Sequence, residues 1–312
     1  MITLAQAKLT MVDDLQKGVI DEFQKNHFLF NTMLFDPVAD PIGGGSGWTY
    51  AYNRLKTQPT ADFREVNTEY TPHVVEQEQV SVNLKIFGGS FTIDRVFKDQ
   101  GGTVSLVKLQ MGQKIKAAKA LFSDTVINGD TAKNAHAFEG LDKMLAGSAN
   151  EFNAGGEEIN PLGPNFKAFL RQIDELLSSL DGQPSAFLCN TKMKIILNAV
   201  AREAGMYQLT KDNFGYPIDT YAGIPIIDLG AKAGTNDSVV GYTFGGSASD
   251  LYAVRLADDG VHAITRKGAP LISVYAPNFN TADEVVKGGV EMVAAVAMKS
   301  TKSAAVLRNI GV

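Results

Sequence analysis

Asp228 ends the apolar run GIPIIDL at residues 223–229, a strand-terminal position where catalytic acids do occur. A carboxylate there more often accepts backbone N–H groups from the turn that follows, so it reads first as a cap. Glu157-Glu158 lies in a glycine-rich loop and reads as a solvated charge pair. Asn128-Gly129-Asp130 offers a cation one carboxylate, whereas a calcium loop needs several acids at fixed spacing. His27, His73, His136 and His262 are far apart, none reads as sitting at i, i+4 with another ligand, and no cysteine partners exist, so no structural zinc site is expected. Cys189 stands in the apolar run AFLC and reads as a buried, inert thiol. Gly43-Gly44-Gly45-Ser46-Gly47 lacks the Lys-Ser/Thr of a phosphate loop and reads as a hinge. No nucleophile elbow and no dinucleotide fingerprint is present. The expectation is therefore no catalytic, cofactor or metal site, which favours a structural or assembly role.

The element that organises the chain is the stretch 103–128, TVSLVKLQMGQKIKAAKALFSDTVIN. Val104, Val107, Met111, Ile115, Ala118, Phe122 and Val126 recur at steps of three and four, which marks one face of a helix. Such a helix is about 39 Å long at ~1.5 Å per residue. Lys108, Gln113, Lys114, Lys116 and Lys119 lie on the other face. With Lys98, Asp99 and Asp124 the segment carries five lysines against two aspartates, a net +3. It has no interleaved aromatics or arginines, so base readout is not suggested. A solvated face is the plainer reading, and a surface beside a polyanion is the other.

Around this helix the chain alternates between extended and helical patterns. Residues 4–30 carry a stripe of Leu4, Met11, Leu15, Val19 and Phe23, which predicts a helix. Trp48, Tyr50, Tyr52 and Arg54 alternate with smaller or polar residues, and Val80, Val82, Leu84 and Ile86 do the same, which predicts two strands. The polar segment between them has too few apolar residues for a core of its own. The pair is expected to form an extended hairpin resting on another copy of the chain. Gly88-Gly89 predicts a bulge or a close backbone approach.

Residues 146–164 read as a boundary or exposed loop. A helix at 165–180, a short buried strand at 186–189 and a helix at 191–204 capped by Asn190 follow. Strand candidates then lie at 223–229, 239–244, 251–256, 261–265, 271–275, 290–298 and 304–310, the last two expected beside the long helix.

The chain has 312 residues, of which 45% are apolar and 20% charged, with a net charge of −5. That composition builds a core and argues against a generally basic nucleic-acid binder. No run approaches the ~20 apolar residues of a membrane span, and no secretory signal is apparent.

In their order and spacing these features resemble the major capsid proteins of tailed bacteriophages with the HK97-like fold. The arm, the hairpin, the lysine-bearing helix, the INGD turn, the run TYAGIPIIDLG, the strand LYAVRLADDGVHAI and the terminal β segment carry the resemblance. It implies an α+β fold with an N-arm at 1–40, an E-loop at 48–80, a P domain at 81–159 and 286–312, and an A domain at 160–285. It implies a homo-oligomeric icosahedral shell of hexamers and pentamers around double-stranded DNA, with no catalysis and no cofactor. Arg54, Lys56, Asp62, Arg64 and Glu65 become intersubunit contacts of the E-loop. Lys108, Lys114, Lys116 and Lys119 become a lumen-facing basic surface. Some relatives join an E-loop lysine to an asparagine covalently, which here suggests Lys56 and Asn309. Many carry a scaffolding segment that is later removed. The room before residue 103 leads instead to the expectation of a separate scaffolding protein, with portal and decoration proteins as further partners. Assembly in the host cytoplasm, incorporation in the virion and no membrane contact follow from the same reading. The alternatives are an encapsulin-type cargo shell, a tail or neck protein, and a soluble α+β enzyme using Asp228 with a loop such as 146–164.

Overall fold

A computed structural model of the chain describes residues 28–39, 48–56, 60–70, 72, 74–99, 103–159, 163, 165–205, 207–211 and 217–312. The helix expected from residue 4 falls almost wholly outside them, as does the Gly43–Gly47 hinge.

A short helix α1 (Phe28–Thr32) leads into strand β1 (Phe35–Ala39). Strands β2 (Thr49–Leu55) and β3 (Gln77–Asn83) then pair antiparallel, Thr49 opposite Asn83 and Leu55 opposite Gln77. They form the expected hairpin. Strand β4 (Lys85–Asp94) precedes the long helix α2, which spans Thr103–Asn128 as its periodicity predicts.

Helix α2 packs on β4 and on the long strand β14 (Val285–Met298). Its deepest positions are Leu106, Ala118, Ala120, Phe122, Ser123, Val126 and Ile127, whereas Ile115 is only half-buried. Phe122 is the hub. Its ring centroid lies 5.5–6.1 Å from those of Phe30, Phe35, Phe87 and Phe138. Separations of this size favour offset and edge-on aromatic contacts over and above area burial.

The alternation Val80, Val82, Leu84, Ile86 keeps one facing only as far as Leu84. Ile86 is 55% exposed, and the inward residues of β4 are Phe87, Phe91 and Ile93. The chain leaves one sheet for another between Asn83 and Lys85, and a change of parity at that point turns every later side chain over. At Gly88-Gly89 the ladder to β14 runs without a bulge. The close approach is real: a Cβ on Gly88 would stand 2.0 Å from the Val290 carbonyl oxygen.

Strand β14 also pairs with β12 (Val261–Arg266) and β13 (Ile272–Tyr275), and β1 joins β12 in parallel. The second sheet runs in the order β5 (Glu151–Asn153), β15 (Ala304–Gly311), β11 (Ala248–Val254), β6 (Ala186–Cys189), β9 (Ile224–Asp228), β8 (Pro217–Tyr221), β7 (Tyr207–Lys211). A two-residue strand, β10 (Tyr242–Thr243), pairs with β11 and is all that remains of the strand expected at 239–244.

Two expectations are corrected here. The C-terminal strand β15 does not lie in the sheet beside α2. It inserts between β5 and β11, because its apolar residues Ala305, Leu307 and Ile310 complete the second core. The stretch 146–164 is not only loop, since β5 within it pairs parallel with β15. Sheet membership therefore crosses the expected boundaries at 160 and 286: β12 and β13 side with β14, and β15 with β6 and β9.

Helix α3 (Leu141–Leu145) follows the turn after α2. Helices α4 (Asn165–Ser178) and α5 (Thr191–Glu203) cover the second sheet through Phe169, Ile173, Leu176, Met193 and Leu197. The Asn190 side chain accepts from the Met193 N–H, the cap that the sequence predicts.

Candidate assembly surface

The hairpin is fixed at its root and bare at its tip. The Leu84 N–H donates to the Trp48 carbonyl at 2.7 Å, and the Tyr52 hydroxyl donates to the Met298 carbonyl at 2.8 Å. Arg54 forms an ion pair with Glu78 across the strands, and Lys56 Nζ lies 3.4 Å from Glu76 Oε2. Beyond that pair no described side chain is buried from residue 60 to 70. Arg64 donates to the Thr68 carbonyl at 3.1 Å and stacks on Tyr70, its guanidinium 5.3 Å from the ring centroid. The Thr68 hydroxyl donates to the Glu65 carbonyl at 2.8 Å, which shapes the turn. Asp62 is exposed on the same tip. Phe63 is 107% exposed and Val66 87%, with Tyr70 and Val74 also open to solvent. Large apolar side chains gathered on one exposed segment make this tip the candidate surface for a partner.

The lysines of α2 do not form one uniform face. Lys108 and Lys116 are exposed, whereas Lys114 and Lys119 are half-buried. The Lys114 stem lies over Gly89, and Lys119 Nζ sits 4.7 Å from the centre of the Phe30 ring. Long lysine stems cover apolar surface while the ammonium stays wet, so two of the four are partly committed to packing.

Asp228 acts as the expected cap. Its Oδ1 accepts from the Gly230 N–H at 2.9 Å and its Oδ2 from the Thr191 hydroxyl at 2.6 Å. Cys189 is fully buried, and burial pushes its thiol pKa far up, which suppresses the thiolate. Asp130 accepts from the Ala132 N–H at 2.9 Å, which holds its carboxyl below the usual range with help from Lys143 and Lys133. Asn309 sits at φ +56° beside an irregularity of the β11–β15 register. Its side chain donates to Asn153 Oδ1 at 3.3 Å, and its N–H donates to Asp250 Oδ1 at 3.0 Å.

Sequence reasoning missed two constellations. Arg308 on β15 donates to Glu151 Oε1 and Asp250 Oδ2 at 2.8 and 3.0 Å, pairs with Asp142, and reaches the Tyr252 hydroxyl at 3.4 Å. It ties α3, β5, β11 and β15 at one point. Burial raises the Tyr252 pKa, with the Asp142 and Asp250 charges adding to it. A lone arginine in a strand carries no spacing signal. The second constellation joins Asp36, Asp258 and His262. Asp258 precedes His262 by four residues, so the expectation that no histidine sits at i, i+4 with another ligand is corrected once carboxylates are counted as ligands.

No protein-family model and no curated sequence matches the chain. Solved structures do match over nearly its whole length. An encapsulin complex, SrpI from Synechococcus elongatus PCC 7942, aligns at a TM-score of 0.66 with 15% identity, over 96% of this chain and 94% of that one. The capsid of a native GTA particle aligns at 0.62 with 12% identity, over 99% and 98%. The capsid of Myoviridae phage XM1 aligns at 0.59 with 10% identity, over 99% of each chain. The chain has the HK97-like fold. Its α+β architecture, with a projecting hairpin and a long helix laid on a sheet, is the one that the resemblance implies.

Proposed function

We propose that this chain is the major capsid protein of a tailed phage. Copies gather as hexamers and pentamers into a closed icosahedral shell around double-stranded DNA. The observation that carries this reading is the hairpin tip. Phe63, Val66, Tyr70 and Val74 stand in water, and none of them belongs to a buried core of the described residues. In the assembled shell the tip lies on a neighbouring subunit, with Arg54, Lys56, Asp62, Arg64 and Glu65 at its polar margin. Obligate interfaces of this kind commonly bury more than ~2,000 Å². Repetition of one heterologous contact closes a shell when its rotation closes.

In this reading residues 1–40 are the arm and 48–80 the E-loop. Residues 81–159 with 286–312 form the P domain and 160–285 the A domain, with β12 and β13 of the A-domain range lent to the P-domain sheet and β15 lent to the A-domain sheet. Exposed Lys108 and Lys116 are the best placed of the four lysines to meet packaged DNA, by contact with phosphate only. A scaffolding protein, a portal and decoration proteins complete the particle, which is assembled in the host cytoplasm. Among the described residues no helix is long and apolar enough to cross a membrane. The Lys56–Asn309 crosslink is the weakest part, since Asn309 is already engaged by Asn153.

A second reading is a cargo compartment, favoured by the likeness to the SrpI encapsulin. Light scattering and negative-stain imaging of the purified protein, with and without co-expressed neighbouring gene products, test both readings. Closed particles holding nucleic acid support the capsid. Closed particles holding a protein cargo and no nucleic acid support the compartment. A monomer or dimer under every condition overturns both.

A further inference from the structure

Three backbone segments meet at one point of the five-stranded sheet. Asp36 comes from β1, Asp258 from the turn after β11, and His262 from the second position of β12. One ligand atom of each lies within 4.8 Å of the others. His262 is 0% exposed, yet neither ring nitrogen has a hydrogen-bond partner. The Gly260 carbonyl is near the ring but outside hydrogen-bonding geometry. A buried imidazole normally donates from one nitrogen and accepts at the other, whereas here both are idle and one lies beside two carboxylates, an arrangement that fits a missing ligand.

We propose that Asp36, Asp258 and His262 bind a divalent transition-metal ion, zinc foremost. The donor set is one neutral imidazole and two carboxylates, and a water completes four-coordination. Zinc holds such ligands at about 2.0–2.2 Å, which places tetrahedral donors about 3.4 Å apart. Atoms now within 4.8 Å must close by no more than about 1.4 Å. The Asp258 side chain is 63% exposed and can make that movement by rotation. An imidazole ligand selects against magnesium and calcium, which prefer all-oxygen shells. Lys299 Nζ donates to Asp258 Oδ1 at 2.8 Å, and a carboxylate has lone pairs enough for both partners.

The site has a structural consequence. Among the described residues β1 pairs only with β12, so it is an edge strand of its sheet. A metal joining Asp36 to Asp258 and His262 staples that edge, and with it the start of the described chain, to the sheet's centre. Binding that exists only in the folded state raises thermal stability by mass action.

The test uses untagged full chain, stripped with chelator and dialysed. Zinc content is measured by atomic emission, affinity by calorimetry, and melting temperature with zinc against magnesium. Asp36→Asn and Asp258→Asn are nearly isosteric and leave His262 in place. The expected result is about one tight zinc per chain, a melting temperature raised by zinc and not by magnesium, and affinity weakened roughly tenfold or more in each variant. No tight zinc in the parent chain overturns the proposal. So does zinc whose affinity is unchanged in either variant, which then belongs to other histidines.

Discussion

Gly129 and Gly140 touch through their backbones: the Gly140 N–H donates to the Gly129 carbonyl at 2.8 Å, and a Cβ added to Gly140 would stand 2.5 Å from the Gly129 nitrogen. The same Cβ would meet the carbonyl oxygens of Ile127 and Thr125 at 2.6 and 2.7 Å. The INGD turn and the Gly-Leu that follows it are therefore two halves of one contact. It closes the end of α2 and sends α3 back over the same core.

Gly140→Ala is expected to destabilise the chain by about 2–4 kcal/mol, because the obstacle is backbone on every side and cannot yield by changing rotamer. Urea unfolding of the unassembled chain measures it. A loss below about 0.5 kcal/mol would mean that the turn can open without disturbing the core.

Phe122→Ala is expected to cost about 3–5 kcal/mol, the range for removing a large aromatic from a packed core. It loses four ring neighbours at once. Ile115→Asp should cost less, because Ile115 is half-buried and its new carboxylate can reach water. Thermal melts of both variants rank them. The opposite order would mean that the shared face of the two residues is packed more tightly at Ile115 than at Phe122.

The difference between these two positions shows how far the sequence could be read. Periodicity finds that 103–128 is a helix and that the half bearing Ala118, Phe122 and Val126 is packed, but it misses Leu106, Ala120 and Ile127, which lie off that stripe and are buried as well. It does not find where along that half the neighbours lie thickest, since Phe30, Phe35, Phe87 and Phe138 arrive from four separate segments. The hairpin was legible because alternation is local, whereas the parity change at Leu84–Lys85 depends on which sheet each strand joins. Strand β15 was legible as a strand, but its place between β5 and β11 is a long-range choice. At the candidate surface, the polar, core-less tip was plain from its composition. Arg308 with its acids, and Asp36 with His262, were hidden because folding alone brings them together.

Glu151→Gln tests the Arg308 cluster. The Gly147 N–H, donating to Glu151 at 2.7 Å, is the main cause holding its carboxyl below the usual range, and Arg308 adds to it. A carboxyl depressed in the folded state contributes stability that is present above its unfolded pKa of 4.5 and is lost as pH falls. The variant is expected to be about 1–2 kcal/mol less stable at neutral pH, with the gap to the parent shrinking below about pH 4.5. Denaturant melts across that range measure it. A gap independent of pH would assign the loss to packing rather than charge.

The tip variant separates folding from assembly. Phe63 and Val66 touch no core, so changing both to Ser should move the unassembled chain's stability by no more than about 0.5 kcal/mol. The same change removes the apolar surface that a neighbour is proposed to cover, and each buried side chain of this size contributes about 1.5–3 kcal/mol. Repeated at every subunit contact of a shell, that loss is multiplied and should prevent closure. Deleting residues 55–79 should do the same while the two large sheets remain folded, since no described residue of that stretch belongs to the buried cores. Particle size by light scattering and far-ultraviolet circular dichroism read the two properties independently. Normal shells from both variants would remove the hairpin from the contact. Unfolded protein from the double Ser variant would make the tip part of the subunit's own core.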